Sequence, residues 1–184
     1  MARVIVPLAP GFEEIEAVTV IDILRRAEIT VVVAGLEEGP VTGSHGIALK
    51  TDCSLDEAAH GDFDMVVLPG GMPGADHLRD DPRVIAMLQQ LAARGKFTTA
   101  ICAAPQVLAA AGLLDHRRAT SYPGFLAPDQ VPGLEFTGTS VEQDGTVITS
   151  RGPGTAMDFA LALVENLAGK ERRDKLEENL QRPA

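Results

Sequence analysis

The stretch Arg3–Gly35, RVIVPLAPGFEEIEAVTVIDILRRAEITVVVAG, holds two short apolar runs on either side of an amphipathic segment. Arg3–Leu8 and Ile29–Gly35 are rich in Val and Ile, and neither alternates apolar with polar residues. That is the pattern of strands buried on both faces. Between them, Glu13–Arg26 has helical spacing, with Ile15, Val18, Ile21, Ile23 and Leu24 on about one side. A buried strand, a helix and a second buried strand predict a parallel pair joined by a crossover.

The same alternation continues along the chain. Phe63–Leu68 (FDMVVL) reads as a strand stopping at Pro69-Gly70-Gly71, and Asp81-Pro82 opens a helix to about Arg94. Phe97–Ile101 is a further strand and Pro105–Gly112 a short helix. A hairpin is expected through Gly39-Pro40 and Ser44-His45-Gly46, and a second, VEQDGTVITS, turns at Asp144-Gly145. Thr155–Leu167 reads as a helix stopped by Gly169, and Glu171–Leu180 as a charged terminal helix. The expectation is one α/β domain over residues 1–184, a doubly wound sandwich with a mostly parallel central sheet, helices on both faces and a small β-hairpin.

Composition narrows the partners. The 184 residues are 45% hydrophobic and 23% charged, as in ordinary globular proteins. A net charge of −10 argues against nucleic acid or an anionic membrane as partner. Arg172-Arg173 lies among acidic residues and reads as a solvated helix face. The start, MARVIVPLAP, is too short in apolar residues for a secretory signal, and no run approaches the ~20 apolar residues of a membrane span. Two cysteines without such a signal point to a reducing, cytoplasmic setting.

In an open parallel sheet, ligands bind beyond the carboxyl ends of the strands. Three such ends carry chemistry here: Pro10-Gly11 leading to Glu13, Glu14 and Glu16; Leu68–Gly71; and AICAAP, Ala100–Pro105. Cys102 stands at a strand-to-helix turn, as in a nucleophile elbow. A helix beginning near Ala103 would lower the thiol pKa from its reference of about 8.5 and hold an oxyanion. The plain alternative is a buried thiol at a strand end. Glu16 lies one turn into its helix. Buried and protonated, it would donate a hydrogen bond to sulfur, although on pattern alone each of the three glutamates reads as exposed. The glycines of PGGMPG either only turn the chain or let backbone N–H groups approach a substrate oxygen. With no Gly-Lys-Ser/Thr following, they are not a phosphate loop. Cys53, in the polar stretch TDCSL, reads as a bystander near the surface, and His60, His77 and His116 as solvated loop residues.

GFEEIE (Gly11–Glu16), VVLPGG (Val66–Gly71), AICAAP and TSRGPGT (Thr149–Thr155) together resemble the DJ-one/ThiJ/PfpI superfamily, most closely its small DJ-one and bacterial ThiJ-like branch. The four motifs occur in order, from the first strand to about Lys170. The resemblance implies a flavodoxin-like fold and a homodimer. It maps a reactive cysteine onto Cys102, a thiol-contacting glutamate onto Glu16 and an oxyanion pocket onto the backbone of Gly70, Gly71 and Ala103. Pro153 maps to the site lining, and Arg26 and His45 to a dimer interface near the site. The activities it implies are cofactor-independent glyoxalase action on methylglyoxal-like dicarbonyls, repair of early glycation adducts, and oxidative-stress sensing or chaperoning. No metal ligand or cofactor is implied.

One position departs from the pattern. The DJ-one branch usually has a histidine before the proline of the segment after the next strand, whereas ATSYPG puts Tyr122 before Pro123. A phenol with a reference pKa of about 10 is a poor proton acceptor at neutral pH but can donate a hydrogen bond. The amidotransferase relatives need a late His-x-Glu segment that this chain lacks, and a cysteine protease would need a histidine after Cys102 in the right place. The sequence thus carries three expectations: a Cys102- and Glu16-dependent enzyme with Tyr122 as an auxiliary group, a redox sensor whose Cys102 is oxidised to sulfinate, or a binding or chaperone scaffold whose cysteine is idle.

Overall fold

The computed structural model describes residues 1–182. In chain order the elements are β1 (Arg3–Leu8), α1 (Glu14–Arg26), β2 (Thr30–Gly35), β3 (Val41–Thr42), β4 (Ala48–Leu49), β5 (Cys53–Ser54), α2 (Leu55–Ala58), β6 (Met65–Leu68), α3 (Gly74–Asp80) and α4 (Pro82–Ala93). There follow β7 (Phe97–Ile101), α5 (Pro105–Ala110), β8 (Arg118–Ala119), β9 (Glu135–Phe136), β10 (Val141–Asp144), β11 (Val147–Ser150), a 3₁₀ turn (Pro153–Thr155), α6 (Ala156–Ala168) and α7 (Lys170–Asn179).

Seven strands form one sheet in the order β10-β11-β7-β6-β1-β2-β5. All neighbours are parallel except β10 and β11, the Asp144-Gly145 hairpin. Strands β3 and β4 make a separate antiparallel hairpin, and β8 pairs with β9. The expected mostly parallel sandwich with a small hairpin is therefore the fold.

The apolar strand runs are explained by two cores. On one face Val4, Val6 and Leu8 meet Val20, Ile23 and Leu24 of α1 and Phe159 and Leu163 of α6. On the other, Ile5, Val66 and Leu68 meet Leu78 of α3, Leu88 of α4 and Val107 of α5. Successive residues of β1 serve opposite faces, so both must be apolar. Pro82 opens α4 behind the Asp81 cap, whose carboxylate accepts the Arg83 N–H at 2.8 Å.

Two expectations change. Ile15 and Val18 do not face the core but are 57% and 43% exposed, because α1 turns Glu16, Ala17, Val20, Ile23 and Leu24 inward. Gly74–Asp80 is a helix, so His77 is helical rather than in a loop, with its Nδ1 at 3.1 Å from the Pro10 carbonyl. No helix among the described residues is long and apolar enough to cross a membrane.

The order of strands reverses direction at β1: β2 lies on one side of it and β6 on the other. Beyond the carboxyl ends of β1, β6 and β7 lie Glu13–Glu16, Gly70-Gly71 and Cys102, at the place where such a sheet opens a crevice.

Candidate active site

Cys102 follows β7 directly and has φ of 64°, in the left-handed region that side chains other than glycine avoid. Its surroundings hold it there. The Cys102 N–H donates to the Ser150 carbonyl of β11 at 2.9 Å, and the Cys102 carbonyl accepts the Tyr122 N–H at 2.9 Å. Strain of this kind persists only where neighbouring structure over-determines it, and it clusters at functional sites. Helix α5 begins at Pro105, as its Pro105–Gly112 reading has it, and not near Ala103, so the sulfur meets the N–H of Ala103 in the turn rather than a helix start. The Gly71 N–H also reaches the sulfur.

Glu16 is fully buried beside it, against the exposure its charge suggests. The Gly70 N–H donates to its Oε2 at 2.8 Å, while Oε1 is buried with no hydrogen-bond partner. Burial pushes the Glu16 carboxyl up to about 7, against the Gly70 N–H and the neighbouring Cys102 thiol, and the nearby charge of Glu13 adds to the rise. Burial also pushes the Cys102 thiol up to about 12. The Glu16 carboxylate adds to that, and the Ala103 and Gly71 N–H groups oppose it. This reverses the lowered thiol pKa expected from the turn. The buried sulfur faces a carboxyl group, and desolvation with that charge outweighs two N–H donors.

The glycines are there for space. A Cβ on Gly70 would stand 2.7 Å from Cys102 Cβ and 2.8 Å from Glu16 Oε2. Gly71 has φ of 88°, and a Cβ there would come within 2.3 Å of the Glu13 nitrogen. Cys102, Glu16, Gly70, Gly71 and Ala103 thus form one packed unit.

The other site residues stand around it. Tyr122 and Pro153 line an open cleft of about 450 Å³ together with Arg151, whose guanidinium the sequence reading did not single out although TSRGPGT displays it. Neither Cys102 nor Glu16 lines this cleft, and its link to the thiol is the Tyr122 backbone. Arg26 pairs with Asp22 at 2.7 Å on the exposed last turns of α1. His45, at the tip of the β3–β4 hairpin, pairs with Glu14 at 3.0 Å. Neither shares a hydrogen bond with Cys102 or Glu16. Glu13 and Glu14 are buried, not exposed, because that hairpin folds over them. Cys53 is half-buried on the edge strand β5, and His60 and His116 are exposed.

Residues 2–166 match the family described as DJ-1/PfpI. The chain belongs to the DJ-1/PfpI family. It is 43% identical over 178 residues to protein dj-1beta of Drosophila melanogaster, covering 96% of this chain and 95% of that one. It is 35% identical over 166 residues to a Caenorhabditis elegans relative named a glutathione-independent glyoxalase, covering 89% and 87% of the two chains. The solved structure of oxidised Toxoplasma gondii DJ-1 superposes with a TM-score of 0.94 at 40% identity over the full length of both chains. Family and fold both follow. The flavodoxin-like α/β fold is that of these DJ-1 neighbours.

Proposed function

We propose that the protein is a cofactor-independent, cysteine-dependent glyoxalase acting on methylglyoxal-like dicarbonyls, with early glycation adducts reached by the same chemistry. One observation carries this reading: a strained, over-determined Cys102 beside a fully buried Glu16 whose carboxyl titrates near neutrality, at about 7. The relative named a glyoxalase supports the reaction class.

The thiol proton and the Glu16 carboxylate make an acid–base pair. Glu16 takes the proton as sulfur adds to the substrate aldehyde, the Gly71 and Ala103 N–H groups hold the resulting oxyanion, and Glu16 passes that same proton to it, leaving a hemithioacetal and a free carboxylate. Glu16 then removes the proton from the former aldehyde carbon and returns it to the adjacent one through an enediol. The product is a lactoyl thioester on Cys102. Water cleaves that thioester to lactate and free thiol, with Tyr122 at the cleft positioning the water. The net reaction is methylglyoxal plus water to lactate, with no oxidant or reductant needed. On an aminocarbinol adduct sulfur displaces the amine at the saturated carbinol carbon: the C–S bond forms as the C–N bond breaks, Glu16 passes the thiol proton to the leaving amine, and the same hemithioacetal results.

The test compares lactate formation from methylglyoxal by wild type, Cys102→Ala and Glu16→Gln. Turnover in wild type and its loss in both variants support the reading. Equal background rates in all three overturn it.

A second reading rests on the lone Glu16 Oε1. Protonated, it is a donor for a sulfinate oxygen on Cys102, which would make the site a peroxide sensor. Mass analysis after peroxide that finds no selective gain of oxygen at Cys102 overturns it. For assembly we propose a homodimer with small-molecule substrate as the only other partner. The exposed Ile15 and Val18 of α1, with Ile47 56% exposed on the β3–β4 hairpin, are apolar surface suited to a second copy. Arg26 and His45 belong to the same helix and hairpin, and sedimentation at dilute concentration tests the assembly.

A further inference from the structure

We propose that Glu13, Glu14, Ser44 and His45 form a divalent-cation site, best fitted to zinc, outside the Cys102 machinery. Four potential ligand atoms converge where the β3–β4 hairpin closes over the start of α1. His45 Nδ1 lies 3.0 Å from Glu14 Oε2 and 3.6 Å from Glu13 Oε2. Ser44 Oγ lies 3.4 Å from Glu13 Oε2, 3.3 Å from Glu14 Oε2 and 3.0 Å from His45 Nδ1. A tetrahedral zinc site with bonds of about 2.0–2.1 Å has neighbouring ligand atoms about 3.3–3.4 Å apart. The five separations bracket that edge, so an ion enters with little rearrangement.

Charge points the same way. Glu13 and Glu14 have side chains 11% and 6% exposed, and among the described residues their only cationic partner is His45. Two buried carboxylates facing one imidazole leave a negative excess, which the α1 N-terminus offsets only in part. A dication with neutral imidazole balances the pair. One imidazole and two carboxylates are three donors of the kind zinc accepts, and the Ser44 hydroxyl stands beside the fourth position, which in such sites is filled by an oxygen ligand such as water.

The ligands are also held in place. Glu14 Oε1 accepts the N–H groups of His45 at 2.7 Å and Ile47 at 3.2 Å, which aims Oε2 at the cluster. A Cβ on Gly43 would stand 2.4 Å from Glu14 Cδ, so glycine is what lets the hairpin close to this distance. In the single chain the His45 side chain is 69% exposed, so an ion has an entry path before the proposed second copy covers the hairpin.

The test is zinc titration of the untagged chain carrying Cys53→Ser and Cys102→Ser, which removes both thiol ligands and separates the outcome from that of the proposed catalysis. Calorimetry is expected to give one zinc per chain, weakened at least about tenfold by His45→Ala or Glu13→Gln. Cobalt in place of zinc is expected to show the visible bands of a four-coordinate ion, lost in His45→Ala. His45 is exposed in the single chain, so that variant should keep its fold, which circular dichroism checks, and sedimentation checks that it keeps the assembly of the parent. Absence of stoichiometric uptake, or uptake unchanged by His45→Ala, overturns the proposal.

Discussion

The backbone N–H of Gly70 donates to Oε2 of Glu16 across 2.8 Å, joining the end of β6 to the first turn of α1. The bond orients a carboxyl that burial has pushed from 4.5 to about 7. A carboxyl whose pKa is raised in the folded state binds its proton more tightly there. Its contribution to stability is therefore complete below 4.5 and lost as pH rises through about 7. Glu16→Gln keeps an acceptor for Gly70 and removes the titration. Relative to wild type, the variant should gain about 3 kcal/mol between about pH 4 and about pH 8. Urea unfolding of both proteins across that range checks it, and a difference that stays constant with pH contradicts the burial argument.

Thiol reactivity should follow the pair rather than the cysteine alone. With Glu16 titrating near 7 and Cys102 pushed up to about 12, one proton is shared between the two groups over a broad range. Alkylation of Cys102, followed by peptide mass spectrometry to exclude Cys53, should rise through about pH 7, level off and rise again in strong alkali. In Glu16→Gln the two steps should merge into one, at a pH below that of the upper step because the charge beside sulfur is gone. A single ordinary step near about 8.5 in both proteins would remove the coupling on which catalysis by this pair depends.

Crowding at Gly70 gives a third expectation. A methyl group there collides with Cys102 Cβ at 2.7 Å, with Glu16 Oε2 at 2.8 Å and with the Ala103 nitrogen at 3.0 Å. The Cys102 Cβ and the Ala103 nitrogen are fixed by the backbone, and Glu16 Oε2, although a side-chain end, is buried and held by the Gly70 N–H. Gly70→Ala should cost about 1–3 kcal/mol and displace the thiol from its N–H donors, slowing its alkylation. Gly154 is the control: no atom lies within 4 Å of a Cβ built there, so Gly154→Ala should stay within about 0.5 kcal/mol of wild type. Equal effects of the two changes would mean that the close approach at Gly70 is not what the fold depends on.

The sheet was legible because Val4–Val6, Val31–Val33 and Val66–Val67 leave no polar face for a strand to show to water. The site was legible as far as strand ends reach: Cys102, Gly71 and Glu16 lie together because parallel order brings the ends of β7, β6 and β1 side by side. Long-range contacts were not legible. Glu13 and Glu14 read as exposed because nothing near them in sequence shows that the hairpin, some 30 residues on, supplies N–H groups to Glu14. Ile15 and Val18 read as core because an apolar stripe indicates burial without naming the partner. The thiol pKa was misjudged for a related reason. The turn at Ala103 is local, whereas the desolvation and the Glu16 charge come from another part of the chain. Helix α3, with Gly74 and two aspartates in seven residues, carries too little apolar periodicity to be seen.

Tyr122 decides where the acid–base chemistry resides. Its backbone N–H holds the Cys102 carbonyl at 2.9 Å, but its ring lies over Gly152, is half exposed and lines the cleft beside Pro153 and Arg151. Among the described residues its hydroxyl makes no hydrogen bond, and a phenol is a poor base at neutral pH. Tyr122→Phe keeps the backbone bond and the ring. If Glu16 performs every proton transfer and the phenol only positions water, kcat/KM for methylglyoxal should fall by no more than about threefold, chiefly through KM. A loss of about a hundredfold in kcat would be the size expected for a general acid or base, and would move that role from Glu16 to the phenol. Glu16→Gln measured in parallel separates the two outcomes: lactate formation lost there and kept in Tyr122→Phe leaves the proton transfers with Glu16.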